Sequence, residues 1–208
     1  QHAMDHAPGI QMPGADLRYF PQFLLQPIAD RYFKRLLEEL DWRQERVFVW
    51  GKWHQQPRLT AWHGDPGSTY SYSGHALTPS PWTPALDELR SHVEQAGGGR
   101  YNSVLLNQYR DHNDRMGWHS DNEPELGEAP TIASLSLGAT RVLLFRHRSD
   151  KSLGVRRIEL PHGSLLLMSG DTQKNWLHAI ARERLPNGTR INLTFRWIRS
   201  QLHPRGTS

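Results

Sequence analysis

The feature that most constrains the fold is a succession of short β-forming segments between residues 46 and 198. Runs rich in Val, Ile, Leu and Phe alternate there with turns that contain Gly, Pro, Asn or Asp. The predicted strands span residues 46–50, 58–62, 69–73, 103–109, 131–137, 141–146, 155–160, 164–169, 176–180 and 190–198. Because many short strands at near-regular spacing favour a sandwich or a barrel, we expect a jelly-roll core, a form that commonly holds a metal in its mouth.

Two amphipathic helices are predicted before most of these strands. In residues 27–40 the apolar side chains recur at the spacing of one helical face, with charged side chains opposite. In residues 84–95 the same pattern follows Thr83, a typical N-cap, and Pro84, which suits a first helical turn. The fold class is therefore mixed α+β and mainly β, with two supporting helices.

Composition excludes several classes of function. The chain has no cysteine, which excludes disulfides, thiolate catalysis and cysteine-based metal sites, and its 12 histidines leave His and carboxylate groups as the metal ligands. No apolar run approaches the roughly 18 residues of a membrane span, and the first residues carry no secretory pattern. We therefore expect no membrane association and no secretion, and the net charge of +4 is compatible with a polyanionic partner.

A His-x-Asp pattern could supply the first two ligands of a two-histidine, one-carboxylate iron site. It occurs at His63/Asp65, His112/Asp114 and His119/Asp121. Residues i and i+2 share a face only where the backbone is extended. Asp65 is followed by a Pro-Gly turn, so the His63/Asp65 pair is interpreted as a tight connection. The His112/Asp114 pair lies in the most polar loop and is interpreted as solvated charge. The pair at His119 follows a return to apolar character, so it is the candidate for metal binding, against the alternative of an ordinary polar loop.

A third ligand and an anion site are suggested by two later strands. His178 lies between apolar neighbours in the predicted strand 176–180, where the alternative is a hydrogen-bonded core histidine. In the last strand, alternation places Arg190, Asn192, Thr194 and Arg196 on one face. Such a stripe is often a solvent-exposed polar face, but near a metal its guanidinium groups would suit a small dicarboxylate.

Several blocks of sequence carry a resemblance to a known family. They are LNQYRD at 106–111, HSDNE at 119–123, PTIASLSLGA at 130–139, HGSLL at 162–166, WLH at 176–178 and RINLTFR at 190–196. Their order resembles that of the AlkB-like dioxygenases, which use iron(II) and 2-oxoglutarate to demethylate damaged nucleic acid, over about residues 47–197. Upstream, VWGKWH at 49–54 and TYSYSG at 69–74 resemble the duplex-DNA repair branch of that family.

The resemblance implies a cofactor site. His119, Asp121 and His178 would bind Fe(II), with O2 and 2-oxoglutarate as co-substrates. Arg190 would pair with the distal carboxylate of 2-oxoglutarate. The remainder of that site would be formed by Asn107, Tyr109, Thr194 and Arg196.

The resemblance also implies a substrate site. Tyr72 and His119 would sandwich the damaged base, and Arg58 would contact the base or its strand. Tyr70, Ser73 and Glu123 would line the pocket. Trp50 would be a finger residue that fills the gap left by the flipped base, although without the resemblance it could equally be a core or hairpin tryptophan. Members of the family place Phe at the positions of Trp50 and Tyr72, so this chain departs from them while keeping an aromatic face at both.

The implied activity is oxidative demethylation of N-alkylated bases such as 1-methyladenine and 3-methylcytosine in DNA, by base flipping, with release of formaldehyde, succinate and CO2. The alternatives are the same chemistry on RNA or protein, and a catalytically silent lesion-binding module. We expect a flexible N-terminus (1–15), one catalytic domain (16–199) with a nucleotide-recognition lid at about 45–80 and a jelly-roll core at about 101–198, and a tail (200–208). We expect a monomer, cytoplasmic and nucleoid-associated if bacterial, nuclear if eukaryotic.

Overall fold

The computed structural model describes residues 10–72 and 75–199, with only the backbone described at residues 70–72, 75, 76 and 98. The helices are α1 (Gln26–Glu39), α2 (Pro84–Val93) and the short α3 (Thr172–Asn175). The strands are β1 (Asp16–Phe20), β2 (Arg46–Val49), β3 (Lys52–Gln55), β4 (Leu59–Gly64), β5 (Tyr70–Tyr72), β6 (His75–Leu77), β7 (Ser103–Tyr109), β8 (Met116–His119), β9 (Ile132–Gly138), β10 (Arg141–His147), β11 (Val155–Leu160), β12 (Leu165–Ser169), β13 (Trp176–Ile180) and β14 (Arg190–Arg196).

Two antiparallel sheets form the body of the fold. The larger has the order β1-β12-β9-β14-β7-β4, and the smaller has the order β11-β10-β13-β8. Two further hairpins, β2-β3 and β5-β6, stand apart from both sheets. The mainly β jelly-roll core with two supporting helices is confirmed, whereas a lid function for residues 45–80 stays a prediction, as does the division into domains.

Strand alternation sorts side chains between two cores. In β14, Ile191, Leu193 and Phe195 are fully buried in the cluster that also contains the apolar faces of α1 and α2. The opposite face of β14 points between the two sheets, where a second cluster surrounds Phe145 and Trp176. A polar stripe on one face of this central strand is therefore enclosed by protein, and the interpretation of the stripe as a solvent-exposed face is wrong.

The two helices begin and end close to their predicted limits. The Thr83 hydroxyl accepts a hydrogen bond from the Leu86 amide at 3.2 Å, which confirms the predicted N-cap. Leu86 and Leu89 are fully buried against the larger sheet. After Val93 the chain continues through one turn of π-helix (Glu94–Gly98), in which Gly97 adopts a left-handed conformation with φ of 83°.

The predicted strands do not include β1, β3, β6 or β8, although extended backbone is expected at the His119/Asp121 pair. The sequence of β1, DLRYF, alternates weakly, and this strand is held at the sheet edge by antiparallel pairing with β12. Just before it, the Trp176 indole donates a hydrogen bond to the Pro13 carbonyl at 2.9 Å, and Met12 is buried. Among the described helices, none has the length and apolar character needed to cross a membrane.

Leu193 provides a test of this packing. It is fully buried and pairs with Leu106 and Leu135 on the two neighbouring strands. We expect Leu193→Ala to lower the free energy of unfolding by about 2–5 kcal/mol, because it removes apolar contacts and leaves a cavity. Urea denaturation checks this, with the 78% exposed Leu185 as the matched control, since Leu185→Ala should cost less than about 0.5 kcal/mol. Equal losses in the two variants would contradict the assignment of the core.

Candidate active site

Pairing of β8 with β13 brings three potential metal ligands together. His119 lies directly opposite His178 in the register of these strands, and their ring centres are 4.2 Å apart. Asp121 follows β8 two residues later. One ligand atom each from His119, Asp121 and His178 lies within 4.8 Å of the others, a spacing that allows the three groups to share one ion.

The hydrogen bonds and burial of the two histidines fit metal binding. His119 Nδ1 lies 2.8 Å from the Gly117 carbonyl, which can only accept a hydrogen bond, so Nδ1 is the donor and Nε2 of the neutral ring is left for a metal. Burial lowers the pKa of His178 to about 3, which keeps its ring neutral near pH 7. Its Nδ1 is buried with no hydrogen-bond partner among the described residues. A neutral imidazole can donate its nitrogen lone pair to a divalent cation.

Asp121 is a buried carboxylate that stays ionised. Burial is the largest single influence and would raise its pKa, but Arg196, which also donates a hydrogen bond to Oδ1, together with His178 and His119 outweighs burial and lowers the pKa. The other oxygen, Oδ2, is 3.7 Å from His178 Nε2, too far for a hydrogen bond. The backbone amide of Asp121 donates a hydrogen bond to Gln173 Oε1 at 2.9 Å, and this bond fixes the backbone at Asp121. The donor set therefore fits an iron site with two histidines and one carboxylate.

Arg190 places a positive charge in the same cavity. Its side chain is fully buried, Nη2 donates to Ser136 Oγ at 3.0 Å, and its guanidinium carbon lies 5.2 Å from the centre of the Tyr109 ring. Burial lowers the pKa of Arg190 to about 10, so it remains charged at neutral pH. Its Nε and Nη1 have no hydrogen-bond partner within the part of the chain that the structure covers. A buried guanidinium with unused donors fits an anionic ligand such as a carboxylate.

The remaining predicted co-substrate residues line this cavity as well. Asn107 and Tyr109 lie on β7, directly opposite Asn192 and Arg190 of β14. The Thr194 hydroxyl donates to Asn192 Oδ1 at 2.9 Å. The residues of both predicted sets that line one cavity are Asn107, Tyr109, His119, Asp121, His178, Arg190, Thr194 and Arg196.

Apart from His119, the predicted base-contacting residues whose side chains are described lie outside the lining of this cavity. Trp50 is at the tip of the β2-β3 hairpin and is 96% exposed. The Arg58 guanidinium donates to Asn107 Oδ1 at 3.2 Å and to the Arg115 carbonyl at 3.3 Å, and burial lowers its pKa. Glu123 precedes a short 3-10 helix and has a buried Oε2 with no hydrogen-bond partner in the described chain. The side chains of Tyr70 and Tyr72, and all of Ser73, lie outside the described residues.

The other two His-x-Asp pairs have structural roles. His63 Nδ1 lies 2.8 Å from the Pro81 carbonyl, and Asp65 Oδ1 accepts from the Trp82 indole at 2.8 Å. The interpretation of Asp114 as a solvated charge is wrong, because this carboxylate is buried. It accepts hydrogen bonds from the amide of Arg110 at 2.9 Å and from its Nε at 2.8 Å. Asp114 thus closes the loop between β7 and β8.

Residues that support the cluster were missed from the sequence. Gln173 belongs to the short helix just before β13, so its bond to the Asp121 amide links the segments that carry two of the three potential ligands. Arg148 donates to the hydroxyl of Ser120, which lies between His119 and Asp121. No local pattern marks these long-range contacts. Ser134 and Ser136 could have been found, because they interrupt the apolar strand β9 at alternate positions.

The fold of this chain resembles that of a solved structure. The structure of OsALKBH1 superposes with a TM-score of 0.59 and 19% sequence identity, covering 90% of this chain and 99% of that chain. At this identity the likeness shows the fold alone.

Sequence comparisons identify the family. The profile of the 2OG-Fe(II) oxygenase superfamily matches residues 16–196. The DNA oxidative demethylase ALKBH2 is 41% identical over 179 residues in both Mus musculus and Homo sapiens, which is 82% of this chain and 75% and 69% of those proteins. The alpha-ketoglutarate-dependent dioxygenase alkB homolog 3 of Rattus norvegicus is 40% identical over 195 residues, 90% of this chain and 65% of that protein. This chain belongs to the 2OG-Fe(II) oxygenase superfamily and is an AlkB-like dioxygenase.

Proposed function

We propose that this dioxygenase removes alkyl groups from N-alkylated bases in DNA, using Fe(II), 2-oxoglutarate and O2. One observation carries the proposal: the cluster of His119, Asp121 and His178 faces the same cavity as the buried, partly unpaired guanidinium of Arg190. A metal site and an anion site that share one cavity are what this chemistry requires. The identity to ALKBH2, a DNA oxidative demethylase in mouse and human, supports DNA as the substrate.

Two groups of residues in the cavity would bind the metal and the co-substrate. His119, Asp121 and His178 would hold Fe(II), and Arg190 would pair with the distal carboxylate of 2-oxoglutarate, assisted by Asn107, Tyr109, Thr194 and Arg196. When bound, the metal and co-substrate supply the oxidation, in which 2-oxoglutarate and O2 yield succinate and CO2 and one oxygen atom passes to the N-alkyl carbon. A hydroxylated N-methyl group then loses formaldehyde and leaves the repaired base. The enclosing sheets exclude water from this reaction.

Glu123 would favour bases that carry a positive charge. Methylation at N1 of adenine or N3 of cytosine makes the base cationic and blocks its pairing, which lowers the cost of flipping it out of a duplex. A buried carboxylate oxygen without a partner is costly, and a cationic base would compensate for it. His119 would stack on one face of the base and Tyr72 on the other, adding cation–π attraction. Tyr70 and Ser73 would complete the pocket.

Trp50 would act as a wedge that replaces the flipped base. It occupies the turn between β2 and β3 with φ of 54°, followed by Gly51 with φ of 74°. A positive φ is strained for a bulky residue, and a fully exposed tryptophan gains nothing from burial. The cost is explained if the side chain stacks between base pairs once DNA is bound. Lys52 is exposed on the same hairpin and could contact phosphate. Arg58, whose guanidinium donates a hydrogen bond to Asn107 Oδ1 in the cavity lining, would contact the base or its DNA strand.

The direct test measures the formation of formaldehyde and succinate in the same reaction. The protein, with Fe(II) and 2-oxoglutarate, is given duplex DNA, single-stranded DNA or RNA that contains 1-methyladenine or 3-methylcytosine. We expect formaldehyde and succinate to form in equal amounts with DNA, above the succinate formed without any oligonucleotide. Coupled turnover with RNA but not with DNA would show that the substrate is RNA. Binding to the lesion without formaldehyde from any of these nucleic acids would show that the protein is a catalytically silent binding module.

The metal cluster is tested by two histidines from matching motifs. We expect His119→Ala to weaken Mn(II) binding at least about 100-fold, because it removes one of three protein ligands. His112→Ala, from the His-x-Asp pair that the structure assigns to a loop, should leave Mn(II) affinity unchanged. Isothermal titration of both variants and the parent protein measures this. Retained affinity in His119→Ala would exclude the assigned metal site.

The wedge is tested by substitution at the hairpin tip. We expect Trp50→Ala to lower kcat/KM on methylated duplex DNA about tenfold or more, since the few kcal/mol of lost stacking are no longer recovered. Turnover of the same sequence as a single strand should change less than about threefold, because no base pair must be opened. Trp50→Phe keeps an aromatic face and should retain most duplex activity. A parallel loss on both substrates would rule out a wedge.

A further inference from the structure

Arg141 is a fully buried cation that the proposed reaction does not use. Its side chain, at the start of β10, has no solvent exposure and lies behind the cavity, outside the set of residues that line it. Burying a guanidinium is costly unless its donors are satisfied. The contacts that compensate for this cost show what Arg141 holds in place.

The guanidinium of Arg141 joins two loops through backbone carbonyls. Nη1 donates to the Asp111 carbonyl at 3.1 Å, and Nη2 donates to the carbonyls of Asp114 at 2.9 Å and Ala181 at 2.6 Å. The first two lie in the loop after β7, and Ala181 directly follows β13. Nε is 3.3 Å from Glu183 Oε1, the one carboxylate in salt-bridge contact with it among the described residues.

Arg141 also contacts the residue that borders the anion site. Its guanidinium carbon lies 5.5 Å from the centre of the Tyr109 ring, and that of Arg190 lies 5.2 Å from the same centre. Tyr109 is therefore in contact with two buried cations, of which only Arg190 lines the cavity. The positive charge of Arg141 is strong enough at this range to contribute to lowering the pKa of Arg190.

We propose that Arg141 is a positioning residue for the dicarboxylate co-substrate: it fixes Tyr109 beside Arg190 and adds a second buried positive charge behind the anion site. The inference rests on the proposed binding of 2-oxoglutarate at Arg190. A dianion gains from each positive charge held in a region of low dielectric, even one that it does not touch. Because Tyr109 is already fixed in place, the protein loses less conformational entropy when the ligand binds.

The test measures co-substrate binding without turnover. 2-Oxoglutarate is titrated into the Mn(II)-loaded protein by calorimetry, with Arg141→Met, Arg141→Lys and, as the matched control, the exposed Arg157→Met. We expect Arg141→Met to raise the Kd for 2-oxoglutarate about tenfold and Arg141→Lys, which keeps the charge but not the planar fork, to raise it less. Arg157→Met should leave the Kd unchanged. Mn(II) affinity measured before 2-oxoglutarate is added should not move in any variant.

Kinetics and the partner carboxylate separate positioning from simple folding. In steady state, Arg141→Lys should raise KM for 2-oxoglutarate while kcat and KM for the oligonucleotide stay near parent values. Glu183→Gln, which removes the negative charge facing Arg141, should lower the Kd for 2-oxoglutarate about twofold. A merely structural arginine would not give these opposite signs.

The outcomes are distinguishable. If Arg141→Met fails to fold, as circular dichroism would show, Arg141→Lys and Glu183→Gln carry the test. Folded Arg141 variants with a Kd within twofold of the parent protein overturn the inference, and so does a Kd that rises in Glu183→Gln. Failure of the parent protein to bind 2-oxoglutarate would instead overturn the proposed function on which the inference rests.

Discussion

The antiparallel pairing of β8 with β13 is the contact on which the site depends. β8 is a short edge strand of the smaller sheet, and its pairing places His119 opposite His178, residues far apart in the sequence. Asp121 then follows at the end of the strand, where the Gln173 side chain holds its amide. A slip of one residue in this register would turn His119 to the other face of the sheet, and the cluster would not form.

The cavity contains buried polar groups whose hydrogen bonds are not all satisfied by the described residues. Arg196 and Asp121 compensate each other by a buried ion pair. Among the described residues, Nε and Nη1 of Arg190 have no hydrogen-bond partner. Proteins tolerate such a cost where a ligand repays it, and an anion bound at Arg190 would satisfy these donors. The same packing that excludes water makes each remaining charge more effective on a bound dianion.

Local sequence predicted the elements whose patterns reflect burial on one face. The alternation of β14 gave both its strand and its polar stripe, and the capping signals at Thr83 located α2. The pattern failed for polar strands such as β3, which pairs with β2 in a hairpin, and for Asp114, a buried carboxylate that accepts a hydrogen bond from the Arg110 side chain. The choice among three His-x-Asp pairs needed extended backbone as a criterion. Gln173 and Arg141 could not be found, because long-range contacts alone define their roles.

One cavity would hold Fe(II) and 2-oxoglutarate together. A 2-oxo acid bound to Fe(II) gives a weak charge-transfer band in the visible spectrum. The most direct measurement is therefore the absorbance of the protein with Fe(II) under anaerobic conditions as 2-oxoglutarate is added. We expect a saturable visible band that is absent in the Asp121→Ala variant. A spectrum that stays unchanged on addition of 2-oxoglutarate would contradict it.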